Sequence, residues 1–165
     1  EVLPHHLYMG VRIAGWGMNP EVVAAAKKYT DVVSYNHYKE AYVEEEWDFL
    51  KEVDMPSIIG EFHMGSTSDT GMFHPGLIYA ADQSDRARMF KEYVEAIADS
   101  PYFVGAHWFQ YTDSPLTGRA HDGENYNIGF VSNTDIPYPE MVQAAKALSA
   151  TLYQRRFGSQ FHRGK

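Results

Sequence analysis

Pro56-Ser57-Ile58-Ile59-Gly60-Glu61-Phe62-His63 is an apolar run that stops on a carboxylate. Ser57 to Gly60 is too short for a helix and Pro56 marks its entry, so the stretch predicts a buried strand. In parallel α/β sheets and barrels the carboxyl ends of the strands form the face where ligands bind, which puts Glu61 in position to meet one. A buried glutamate paired with a structural arginine or histidine satisfies the same pattern.

Apolar strands alternate with amphipathic helices on both sides of this run, the signature of βαβ units and a parallel sheet. Upstream, a strand is expected over Leu7 to Ile13 and a second over Val32 to Tyr38. Asn19-Pro20, a cap followed by a first-turn proline, opens a helix reaching Tyr29 between them. A further helix near Val43 to Val53 places Trp47, Leu50 and Val53 toward the sheet. Downstream come a long loop from Met64 to Ala81, a helix from Ser84 to Asp99 that buries Phe90, Val94 and Ile97, and a strand over Phe103 to Gln110. A longer loop then reaches Ile136, and Pro139 opens a last helix with Met141, Val142, Ala145, Leu148 and Leu152 on one face. Loops of this length in compact domains usually carry function. The expected organisation is one unit over residues 1–157 and a frayed polar tail over 158–165, without repeats or an interdomain linker.

The chain has 165 residues, 44% of them hydrophobic, enough for one buried core. A net charge of −8 without a Lys/Arg run argues against nucleic acid and anionic membrane surfaces and favours neutral ligands. No run of about 18 apolar residues marks a membrane span, and no leader pattern is present. The start at Glu1, without methionine, suggests removed sequence. With no cysteine, disulfides, zinc-thiolate sites and thiol catalysis are excluded. Twelve Tyr, nine Phe and three Trp exceed what a small core needs; stacking on sugar rings is one use of the surplus, and a tyrosine-rich core or interface is the other.

Every strand after the first ends in ligand-competent residues: Asn36, His37 and Tyr38; Glu61 and His63; then His107, Trp108, Gln110 and Asp113. Strand alternation puts Asn36 and Tyr38 on one face and His37 on the other, with Glu61 and His63 sharing a face. The loop from Thr112 to Asn125 adds Asp113, Arg119, Asp122, Glu124 and Asn125, which serve either sugar contacts or loop bracing.

Asp31-Val32-Val33-Ser34-Tyr35-Asn36-His37-Tyr38, Gly60-Glu61-Phe62-His63, Gly105-Ala106-His107-Trp108-Phe109-Gln110-Tyr111 and Asp122-Gly123-Glu124-Asn125-Tyr126-Asn127-Ile128-Gly129-Phe130-Val131 together resemble the family 50 β-agarases among the retaining glycoside hydrolases. The resemblance spans nearly the whole chain. It implies the second half, strands five to eight, of a (β/α)8 TIM barrel. It also implies Glu61 as nucleophile on the seventh strand, Tyr38 beside it from the sixth, and Trp108 as the floor of a sugar subsite with a cis peptide to Phe109. Asn36, His37, His63, His107, Gln110, Asp113, Arg119 and Glu124 are the further candidates for substrate contact. Trp16, after the first strand, stacks on a sugar or packs in the core. No cofactor or metal is expected.

Retaining hydrolysis uses two carboxyl groups about 5 Å apart, one attacking the anomeric carbon and one protonating the leaving oxygen. An attacking Glu61 must stay ionised, and Tyr38 is the candidate hydrogen-bond donor to it. The resemblance implies an acid/base glutamate preceded by asparagine, and no Asn-Glu pair occurs here. A complete barrel takes about 250 residues. The expectation is therefore a fragment, inactive alone, whose open sheet edges are covered by the missing N-terminal half or a second copy. The resemblance implies agarose or neoagaro-oligosaccharides as substrate, and with it an expected place outside the cell or in the periplasm. A β-galactosidase-like barrel hydrolase, a non-catalytic carbohydrate-binding module and a metal site built on His37, His63, His107 and His121 are the competing readings.

Overall fold

The structure, a computed structural model, describes residues 4–68 and 70–158; most of the expected frayed tail therefore lies outside the described residues. Four strands, β1 (Arg12–Ala14), β2 (Val33–Asn36), β3 (Ser57–Phe62) and β4 (Phe103–Trp108), pair in that order, and every pairing is parallel. Between them and after them run α1 (Pro20–Tyr29), α2 (Leu50–Val53) preceded by a 3-10 turn over Glu44–Trp47, α3 (Gln83–Asp99) and α4 (Pro139–Phe157).

Asn19 caps α1 by accepting the Val22 amide at 3.0 Å, and Pro20 occupies the first turn, where its missing N–H costs nothing. Asp82 caps α3 in the same way through the Asp85 amide. The expected helix over 43–53 is instead a 3-10 turn and a single α-turn, yet Trp47, Leu50 and Val53 are all buried as the spacing predicts.

The first strand is shorter than the expected Leu7 to Ile13. Gly10 adopts a φ of 62°, which ends any extended run, and Leu7, Tyr8 and Val11 lie exposed before β1 begins. The second strand stops at Asn36, where the register with β3 shifts; the His37 amide still donates to the Glu61 carbonyl at 2.9 Å, and Tyr38 follows beyond it. A cis peptide is present, but at Phe109–Gln110 rather than the expected Trp108–Phe109. The Phe109 amide still donates to the Phe62 carbonyl at 2.9 Å, so the extended ladder runs through Trp108 and regular geometry ends only after Phe109.

The core lies on one face of the sheet. Ile13, Val33, Tyr35, Ile59, Phe62 and Phe103 pack there against Val23, Trp47, Leu50, Phe90, Tyr93, Ile97, Met141 and Leu148 from the helices. Aromatic rings dominate it: Phe62 stacks on Tyr93 at 4.5 Å, and Trp47 meets Tyr35 and Phe103 edge-on at 5.3 and 5.0 Å. Arg12, Ser34, Ile58 and Gly60, at alternate strand positions, stand outside this cluster. The sheet therefore has a helix-bearing face and a bare one.

Among the described residues the outer edges of β1 and β4 pair with no strand. Along β4 the bare edge borders an apolar groove of about 400 Å³ lined by Val104, Ala106, Ile97, Leu152 and Phe157.

Candidate active site

Glu61 lies near the end of β3 with its side chain largely buried. Two groups hold its carboxylate. The Tyr38 hydroxyl, from the segment just after β2, donates to Oε2 at 2.7 Å, and Arg12 Nη1, from β1, pairs with Oε1 at 2.8 Å. Each carboxylate oxygen thus has its own donor, one neutral and one charged. Burial first, and then the Glu61 charge, raise the Tyr38 phenol well above its ordinary range, so Tyr38 remains a protonated donor across the physiological range.

Arg12 has no counterpart in the sequence-level site, because a lone arginine on a three-residue strand carries no motif. Its reach depends on Gly60. A Cβ at Gly60 would stand 2.9 Å from Arg12 Cγ and Cδ and closer still to Ser34 Oγ. The glycine makes the trough along which the arginine stem crosses to Glu61. The Oδ1 of Asn36, paired in register with Glu61, is buried without a hydrogen-bond partner. Left this way, it is an acceptor ready for a ligand hydroxyl.

His63 packs its ring 4.7 Å from that of Tyr38, but both of its nitrogens are committed. Nδ1 donates to the Phe109 carbonyl at 3.0 Å and Nε2 accepts from the Leu77 amide at 2.9 Å. Burial, reinforced by the Arg86 charge, pushes its pKa down to about 4 despite the Phe109 carbonyl. His63 is therefore a neutral brace between the ends of β3 and β4 and the 64–81 loop.

His37 stands on the opposite, helix-bearing side, as alternation dictates. It packs 5.0 Å from Trp47, its Nδ1 lies 2.5 Å from the Tyr93 hydroxyl, and its Nε2 is 3.6 Å from Glu46 Oε2. Its imidazole does not reach the Glu61 carboxylate; only its backbone amide meets that residue, at the carbonyl. Trp108 is also turned toward the helices: its indole N–H donates to the Ile128 carbonyl at 2.7 Å, and its ring meets Phe62, Phe90 and Phe130. The Phe109 ring lies 6.2 Å from that of His63, with the Arg119 guanidinium 5.2 Å above it.

Asp113 is buried and turned into the long loop. It accepts from Asn127 Nδ2, the Gly129 amide and the Tyr138 hydroxyl. Arg119 pairs with Asp122 and Glu124, each at 2.5 Å, although Glu124 Oε2 is out of line for a hydrogen bond. Burial raises the Glu124 carboxyl against the pull of Arg119, and the Glu61 charge adds to the rise. Gln110 is half-buried, while His107 and Trp16 are exposed, Trp16 at 92%. No group of three or more metal-capable side chains occurs among the described residues.

Behind these groups Arg86 on α3 is fully buried. It donates to the carbonyls of Met64 and Gly129 and to Gln83, with its guanidinium between the rings of Trp108 and Tyr138. Burial lowers its pKa to about 10, leaving it charged at neutral pH. One side chain thus ties the exit of β3 to the loop that follows β4.

The fold and site define an α/β protein with a clamped carboxylate at the carboxyl end of a parallel sheet, flanked by aromatic rings and polar side chains. Over 158 residues, 95% of its length, the chain is 56% identical to β-agarase B of Vibrio sp. (strain JT0107), and over 156 residues, 92% of its length, it is 51% identical to β-agarase A of the same organism. A solved exo-β-agarase superposes with a TM-score of 0.92 at 62% identity, covering 94% of the chain. No family model matches. The chain spans 16% of the length of each curated relative and 21% of the solved exo-β-agarase. Its sequence and fold are similar to one segment of these β-agarases.

Proposed function

We propose that the chain is the nucleophile-bearing second half of a (β/α)8 barrel in a retaining β-agarase that hydrolyses β-1,4 bonds of agarose or neoagaro-oligosaccharides. The observation that carries this reading is the Glu61 carboxylate, held at the end of β3 with Tyr38 on one oxygen and Arg12 on the other. The relatives that carry the name β-agarase support the substrate. A single helix-bearing face and two unpaired sheet edges support the barrel, since a closed barrel puts all helices outside and leaves no edge.

Glu61 attacks the anomeric carbon and forms a covalent glycosyl ester. A carboxylic acid from the N-terminal half protonates the leaving oxygen and then, as base, activates the water that releases the sugar. Two donors on the nucleophile fix its orientation, and Tyr38 keeps its proton throughout. Asn36, Glu124 and Arg119 bind sugar hydroxyls near the scissile bond. The N-terminal half covers the grooved edge of β4 and the edge of β1. A polymeric substrate too large to enter a cell places the enzyme outside it or in the periplasm.

The test is the full-length protein that carries this chain, assayed on neoagarohexaose with the anomeric configuration of the first product followed by proton NMR. Retention, together with loss of turnover in Glu61→Gln, is expected. Inversion, or full activity in Glu61→Gln, overturns the assignment. Activity from residues 1–165 alone would remove the missing acid from the scheme.

A further inference from the structure

We infer that Tyr126, His74 and Tyr79 form a wall that binds sugar units remote from the scissile bond, so that affinity grows with the length of a neutral oligosaccharide. The inference rests on the glycosidase reading of Glu61. The wall begins at the site itself. From Tyr38, the donor to Glu61, ring contacts continue through His63 (4.7 Å) to Tyr126 (6.0 Å), His74 (4.8 Å) and Tyr79 (6.1 Å). The row runs from a buried end to an exposed one: His63 is 1% exposed and Tyr79 is 64% exposed.

Its outer members are not core aromatics. Tyr79, His74 and Tyr126 lie outside the buried cluster, yet their backbones are fixed. His74 and Tyr126 form a parallel bridge, with the Asn127 amide donating to the His74 carbonyl at 2.8 Å. Gly65 bridges Tyr79, its amide donating to the Ile78 carbonyl and its carbonyl accepting from the Ala80 amide. A side chain at Gly65 would collide with the Pro75 carbonyl, so the glycine is what lets the 64–81 loop fold this tightly. An exposed ring held on rigid backbone loses little entropy when a ligand stacks on it.

Hydroxyl-binding groups accompany the rings. The Gly76 amide donates to His74 Nδ1 at 3.0 Å, which leaves the proton of the neutral ring on Nε2 as a donor. Burial, then the charges of Glu124 and Asp122, raise the Tyr126 phenol, so it too remains a donor. Those carboxylates disfavour an anionic ligand, whereas apolar faces edged by donors and acceptors suit a pyranose chain.

The test uses the full-length protein in a Glu61→Gln background, with dissociation constants for neoagarobiose, neoagarotetraose and neoagarohexaose measured by calorimetry. Tyr79→Ala is expected to weaken the longest oligosaccharide by about three- to tenfold and to leave the shortest within about twofold, while Tyr79→Phe matches the parent. An equal loss at every length, or none, overturns the wall while leaving Glu61 as nucleophile. Binding of none of the three oligosaccharides by the parent overturns both readings.

Discussion

Arg12 and Glu61 form an ion pair of 2.8 Å that links the first strand of the sheet to the third. The arginine crosses β2 over Ser34 and Gly60, so the pair exists only because neither position carries a bulky side chain. Tyr38 and Arg12 divide the carboxylate between them, and each donor is supplied by a different segment.

Arg12→Met removes the cation from Oε1 and leaves Tyr38 on Oε2. In the full-length protein kcat/KM should fall by about 100- to 1,000-fold, the scale of one preorganised donor, with the melting temperature nearly unchanged because the arginine is half exposed. Arg12→Lys should recover part of the loss. An unaltered kcat/KM in Arg12→Met would mean that Arg12 turns elsewhere in the working enzyme.

Gly60→Ala places a methyl against the Arg12 stem and Ser34 Oγ. It should cost about 1–3 kcal/mol of stability and depress activity. A double-mutant cycle separates the two effects: in an Arg12→Met background the same alanine should have a smaller effect on kcat/KM. Additive losses in activity would dissociate Gly60 from the ion pair.

Tyr38→Phe keeps the ring against His63 and deletes the hydroxyl that holds Glu61 Oε2. The expected result is a fall in kcat of about 100- to 1,000-fold with KM moved less, since the orientation of the proposed nucleophile acts on the chemical step. Steady-state kinetics on neoagarohexaose reads it, and a change confined to KM contradicts the role.

His63 is depressed in the folded state to about 4 and titrates near 6.5 when unfolded. Between those values the unfolded chain binds more protons, so its contribution is complete above about pH 6.5 and disappears as pH falls toward 4. The full effect is on the order of 3 kcal/mol. Urea unfolding at pH 7, 6, 5 and 4 should show this slope, and His63→Gln should flatten it.

Arg86→Met leaves the carbonyls of Met64 and Gly129 without their buried donor. We expect about 3–5 kcal/mol of destabilisation, on the scale of breaking a buried charged network. Proteolysis should then cut first within residues 111–138, the loop that the guanidinium holds. A variant as stable as the parent would show that Asp113, Asn127 and Tyr138 suffice to brace it.

Local signals in the chain were enough for the order of strands and helices, the cap at Asn19, and the burial of Trp47, Leu50, Phe90 and Ile97, because periodicity and capping act within a few residues. They also singled out Glu61 and Tyr38, since a carboxylate at the end of an apolar strand is conspicuous in one dimension. Short β1 was not legible: Gly10 takes a left-handed conformation that the apolar spacing of Leu7 to Ile13 conceals.

The rest was decided by tertiary structure. Arg12 and Glu61 are 49 positions apart, and only the parallel register of three strands, with a glycine between them, brings them together. The side to which Trp108 turns follows from where the helices pack, and the commitment of both His63 nitrogens follows from carbonyl and amide partners on two other loops. Sequence alone determined which chemical groups were available at the strand ends. Which of them face a ligand and which brace the fold depended on contacts between distant segments, which local periodicity does not encode.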